Sequence, residues 1–224
     1  MVDLDEFRER GFVRLPGAVA PEVAAQVDTF ATELVATTSR PWVIGQATVY
    51  DFPPLVEAIS SPVRQAMDVL LGRGRWFPDA NWGFPTRFPG PVPVGWHIDG
   101  DWFHHHIDSD EQVLTPIFLW HDVTEEDAPT LLVPESHVQV ACLLDSREPG
   151  GLPGSEHLNA VHGLIGDDCS VPAVGDAGDV YLCHPLLAHS IHPVGPASRA
   201  RRVISNVAIH GRGRRRLDEM PWIE

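Results

Sequence analysis

Trp96-His97-Ile98-Asp99 sets an imidazole and a carboxylate two positions apart. In extended backbone, positions two apart share a face, so His97 and Asp99 can turn toward one ion. Such a pair arises by chance in a chain with twelve histidines and many acids, so the second half of the pattern matters more. Gly178-Asp179 followed by Val180-Tyr181-Leu182 reads as a turn and a strand, and His184 and His189 come directly after it. Either histidine, remote in sequence, can close the triangle begun by His97 and Asp99. Twelve residues beyond His189 stands Arg201, flanked by Arg199 and Arg202, at the start of the apolar run 203–209.

These residue types suit one kind of chemistry. Two imidazoles and one carboxylate on a single face of an octahedral ion leave the opposite positions open, an arrangement that suits Fe(II). A bidentate keto-acid fills two open positions and dioxygen the third. The far carboxylate of that keto-acid then needs a fixed cation, and an arginine supplies a planar fork that stays charged.

The elements that must carry these residues are short strands. From residue 76 onward, β-type runs at 76–88, 93–98, 113–122, 130–134, 169–174, 179–183, 188–194 and 202–210 alternate with Pro, Gly and Asp, as in a sandwich or barrel. Before them, residues 3–10, 21–37 and 62–71 have helical spacing, with a strand at 11–15. The segment 145–168 reads as a long Gly/Pro-rich polar loop and, with residues 99–112, as a lid. The expectation is one domain over 1–224: a mainly helical part at 1–75, a β core at 76–210 and a basic tail at 211–224.

Composition narrows the partners. The formal charge of −15 disfavours nucleic acid and anionic membrane. Three cysteines without a Cys-x-x-Cys pair argue against a disulfide framework or a thiolate zinc site. With neither a signal-peptide pattern nor a membrane-length apolar run, a cytoplasmic protein acting on a small molecule is expected.

The chain resembles the phytanoyl-CoA dioxygenase-like branch of the Fe(II)/2-oxoglutarate oxygenases. Besides the His97-Ile98-Asp99 motif, the likeness is carried by the opening segment 7–23, by Leu131-Leu132-Val133-Pro134-Glu135-Ser136-His137, by Gly178-Asp179 with His184 through His189, and by Arg201-Arg202-Val203-Ile204-Ser205. It implies a mainly β fold with flanking helices, a double-stranded β-helix or jelly roll. It implies Fe(II) on His97, Asp99 and His189, with His184 in the core or beside a ligand. The implied reaction spends 2-oxoglutarate and dioxygen, releases succinate and oxidises a substrate, commonly by hydroxylation. Relatives that halogenate lack a carboxylate at the Asp99 position.

By the same resemblance Arg201 is the preferred 2-oxoglutarate clamp, with Arg199 and Arg202 as rivals. Trp120, Arg87 and Ser205 then fall near the co-substrate. Glu135 stands where the family has Gly, which bears on the local turn. Trp102, His104 and His105, close behind the metal motif, are candidates for the substrate-pocket wall. The side chains of His104, His105 and His106 diverge along the backbone and cannot all face one ion.

Overall fold

The computed structural model describes residues 2–36, 42–88, 95–165, 170–191 and 202–217. Among these residues, nine strands form two antiparallel sheets. The larger contains β1 (Phe12–Leu15), β2 (Trp42–Thr48), β3 (Trp76–Arg87), β4 (Thr115–Leu119), β7 (Val180–Cys183) and β9 (Arg202–Gly211), in the order β1-β7-β4-β9-β3-β2. The smaller contains β5 (Thr130–Leu132), β6 (Val171–Pro172) and β8 (His189–Ile191), in the order β6-β5-β8. Early and late strands alternate across the larger sheet, the wiring of a jelly roll.

Burial follows from position. Every residue of β4 and β7 is buried, as central strands covered on both faces require. Phe118 and Trp120 stack 5.3 Å apart, and Trp82 lies against both. The helices α1 (Leu4–Arg10), α2 (Pro21–Leu34), α3 (Pro54–Ala58) and α4 (Ser61–Leu71) precede most of the barrel. Helix α2 starts on Pro21 and buries Val23, Ala24, Val27 and Ala31, one stripe of an amphipathic helix. Helix α4 does the same with Val63, Ala66, Met67, Leu70 and Leu71. Asp3 caps α1 by accepting from the Asp5 and Glu6 amides, and Gly11 ends it at φ 80°.

Three features differ from the sequence expectation. The 1–75 part contains a second strand, β2, which is an edge of the larger sheet. The 145–168 segment is no loop: α5 (Ser136–Arg147) runs into it and α6 (Gly154–Leu164) fills most of the described remainder, burying His157 and Val161 one turn apart. The basic tail is tied down through residue 217. Leu217 is buried, its amide donates to the Ile107 carbonyl at 2.6 Å, and Arg216 pairs with Asp145.

Candidate metal centre

His97 and His189 face each other across an isolated antiparallel bridge, His97↔His189, that adds the metal-motif strand to β8. Side chains of such a directly opposed pair leave on the same side. Asp99, two residues past His97, joins them. Among the described residues these three form the one His/Cys/Asp/Glu group able to hold a metal, with ligand atoms all within 4.8 Å of one another.

The tautomers fit metal binding. His97 Nδ1 donates to the Gly95 carbonyl at 2.9 Å, and His189 Nδ1 donates to the Leu187 carbonyl at 3.1 Å. A carbonyl only accepts, so each Nδ1 holds the proton and each Nε2 keeps its lone pair for an ion. His189 Nε2 lies 3.5 Å from Asp99 Oδ1.

Electrostatics agree. Burial, reinforced by His189, lowers the His97 pKa to about 4 and keeps that imidazole neutral. Burial opposes ionisation of Asp99, but His189, His97 and a hydrogen bond from Asn206 hold its carboxyl far below the usual carboxylate range. Burial also opposes a charge on His189, yet the Asp99 carboxylate prevails and raises its pKa. The centre therefore attracts positive charge, and a divalent cation would take the place of that proton. On this donor set, iron fits.

Several positioning residues were not singled out from the sequence. Asn206 on β9 donates from Nδ2 to Asp99 Oδ2 at 3.3 Å. Helix α6 grips the metal strand: His157 Nε2 donates to the Ile98 carbonyl at 2.8 Å, and the Trp96 amide donates to His162 Nδ1 at 3.3 Å. Asn206 was visible only as a polar interruption of an apolar strand, and α6 was hidden in a Gly/Pro-rich stretch.

His97 and Asp99 line a cavity of about 930 Å³, whose wall also includes Trp102, Asp101, Asp79, Trp42 and Gln112. The other expected residues fall as follows. Trp102 lines the cavity and is 59% exposed. His104 and His106 stack with ring centroids 5.1 Å apart and reach the Gly150 carbonyl and Glu148, while His105 turns away to the Gly100 carbonyl; none of the three lines the cavity. Trp120 donates from Nε1 to Ser205 Oγ at 2.8 Å, both side chains buried, and neither lines the cavity. Arg87 is 1% exposed, and burial lowers its pKa. Arg199 and Arg201 lie outside the described residues, as does Cys169.

His184 is a core residue and no ligand. Its Nε2 donates to the Leu217 carbonyl at 2.8 Å, and burial lowers its pKa to about 3. Cys183 is buried on β7, and burial together with Asp99 pushes its thiol up. Glu135 keeps the turn that glycine would make, at φ 66°.

No protein-family model and no curated protein matches the sequence. Solved structures do match by fold. The epimerase SnoN, solved with Fe3+, alpha ketoglutarate and nogalamycin RO, aligns with TM-score 0.64 and 18% identity over 92% of this chain and 81% of its own. HygX from Streptomyces hygroscopicus, with nickel and 2-oxoglutarate bound, aligns with TM-score 0.64 and 12% identity over 93% of this chain and 87% of its own. The non-heme monooxygenase ThoJ, a nickel complex, aligns with TM-score 0.62 and 15% identity over 92% and 76%. The likeness establishes the fold: this chain is a jelly roll of the same architecture as these three.

Proposed function

We propose that the chain is a non-haem Fe(II)/2-oxoglutarate-dependent dioxygenase of the phytanoyl-CoA dioxygenase-like branch, oxidising a small organic substrate, most simply by hydroxylation. The observation that carries the reading is the triad itself. His97, Asp99 and His189 converge beside a cavity that the first two line, with both Nδ1 atoms fixed on carbonyls so that both Nε2 atoms are free to ligate. SnoN, HygX and ThoJ, which share the fold and were solved with iron or nickel, in two cases with the keto-acid, support it. When bound, iron with 2-oxoglutarate and dioxygen supplies the oxidising chemistry and succinate is released.

The chain's own residues divide the remaining work. His97, Asp99 and His189 hold the metal, and Asn206 fixes the second oxygen of Asp99. Arg201 is the proposed clamp for the far carboxylate of 2-oxoglutarate, with Arg87, Trp120 and Ser205 beside it. Strand register divides that grouping: Arg87 pairs with Arg202 on the β3–β9 ladder and so shares a face with Asn206, while Ser205 pairs with Phe118 on the β4–β9 ladder and faces the other way, which keeps Arg202 as the rival clamp. Trp102 and the loop after the metal motif wall the substrate side, and α6 helps keep water out. Among the described residues no helix is long and apolar enough to cross a membrane. The free thiols of Cys142 and Cys183 support a cytoplasmic location.

The test is anaerobic titration with Fe(II) and 2-oxoglutarate while the visible spectrum is recorded. A bidentate keto-acid on iron gives a weak charge-transfer band. The band should form with the parent protein, vanish in His97→Ala and His189→Ala, and require more 2-oxoglutarate in Arg201→Ala. Iron binding without the band would reject the 2-oxoglutarate assignment and leave a cupin-like metalloenzyme.

A further inference from the structure

The cavity over the triad is larger than a metal and a five-carbon keto-acid need. At about 930 Å³ it sits near the top of the roughly 300–1,000 Å³ span of drug-sized ligand sites. Among the described lining residues the groups charged throughout the neutral range are carboxylates. Apart from His97 and Asp99, the ionisable side chains among the described lining residues are Asp79, Asp101 and His157. The His157 ring is occupied by the Ile98 and Gly154 carbonyls. No arginine appears among those lining residues, and the chain contains no lysine at all.

The acids are placed by backbone devices. The β3–β9 ladder breaks register between Pro78 and Trp82, and the stretch released from the ladder carries Asp79 and Asn81 to the cavity wall, as bulges beside active sites do. Burial opposes ionisation of Asp79, but hydrogen bonds from Asn81 and from His210, at 3.0 Å, keep it a carboxylate. Asp101 follows the metal motif directly and is exposed, next to the uncovered Trp102 indole. Gln112 adds an open polar position. It is 3% exposed and lines the cavity, with one end of its side-chain amide 2.5 Å from Thr115 Oγ1. The other end meets no hydrogen-bond partner among the described residues.

We propose that this cavity selects a ring-built substrate bearing at least one ammonium group, with Asp79, Asp101 and Trp102 as the selecting residues; the proposal rests on the oxygenase reading above. An ammonium brings three donors to a wall of acceptors. The face of Trp102 attracts a cation and stacks on a ring. An acyl-coenzyme A, with its phosphates, meets carboxylates on this wall and no described cation, which rejects it by like charge.

The test is calorimetric titration of the Ni(II)- and 2-oxoglutarate-loaded protein with three probes: neamine (two rings with several amines), its fully N-acetylated form, and coenzyme A. Neamine is expected to bind about tenfold or more tighter than the acetylated form, with no heat from coenzyme A. Asp101→Asn and Trp102→Ala should each weaken neamine several-fold, and Asp101→Glu should restore it. Glu9→Gln, an exposed acid on α1, controls for net charge and should change nothing. Equal or tighter binding of the acetylated probe or of coenzyme A overturns the proposal. So does neamine that fails to bind, or that weakens as much in Glu9→Gln as in Asp101→Asn. The iron charge-transfer band separates the two readings: no band rejects the oxygenase, whereas a band with a reversed probe order rejects only the substrate class.

Discussion

The main chains of His97 and His189 exchange two hydrogen bonds, 3.0 Å in one direction and 2.9 Å in the other, and their rings stand 4.5 Å apart on one side of that bridge. Ligand geometry is thus written into backbone pairing, and the side chains add little to the fold. Replacing His97, Asp99 or His189 by Ala should weaken Ni(II) or Mn(II) binding by about a hundredfold or more, since each removes a direct ligand. The thermal transition of the metal-free variants should stay within a few degrees of the parent. A variant that keeps its metal affinity would remove that residue from the ligand set.

Asn206 should tune the same centre without touching the ion. Its amide restrains the Asp99 oxygen that His189 does not face. Asn206→Ala is expected to cost about tenfold in metal affinity, within the range usual for partners of metal ligands. Asn206→Asp should cost more, because it sets a second carboxylate beside the first. Calorimetric metal titration checks both, and unchanged affinity would make Asn206 a mere wall residue.

Acid should unfold this protein through its buried neutral histidines. His184 in the folded chain titrates at about 3, against about 6.5 when unfolded. As pH falls below 6.5 the unfolded state takes up a proton that the native state refuses. Stability from this residue is therefore full above 6.5 and is lost by about 1.4 kcal/mol per pH unit down to about 3. His105, held at about 4 largely by burial, adds to the slope. In His184→Gln the urea midpoint should fall less steeply between pH 6.5 and 4, with metal affinity intact. An unaltered slope would refute the assignment.

Glu135 pays a conformational penalty. Its φ of 66° and ψ of −8° lie in the left-handed region just before α5, which costs a non-glycine residue about 1–2 kcal/mol. Glycine relieves that strain but loses about 0.5–1 kcal/mol of chain entropy. Glu135→Gly should thus gain about 0.5–1 kcal/mol, a rise of roughly 1–4 °C in melting temperature for a chain of this size. Calorimetry decides, and a lower melting temperature would show that the Glu135 side chain contributes more than its backbone strain costs.

Much of this was legible in the sequence because strand alternation and the His-x-Asp spacing are local signals. The strand that follows Asp179, the one carrying His189 and the 202–210 run lie where the pattern set them, and His184 is the core histidine it could have been. The two missed elements each contain a glycine that serves a close approach. Gly45 interrupts β2, and a Cβ there would come within 2.8 Å of Leu34 on α2. Gly154 opens α6, and a Cβ there would meet the Asp101 carbonyl at 2.5 Å and the Phe103 carbonyl at 2.6 Å. Asn206 was hidden for another reason: its partner Asp99 is 107 positions away, beyond any periodic signal.

The inequality of the two sheets has a consequence for how such a chain can change over generations. The six-stranded sheet holds most of the core, while the three-stranded sheet is short and depends on the 99–112 loop and α6 to finish the cavity wall. Insertions, deletions or substitutions in that finishing segment can remodel what enters while the His97–His189 bridge and the broad sheet stay as they are. Selection can therefore trade one substrate for another at low risk to folding, with chemistry inherited and appetite rewritten.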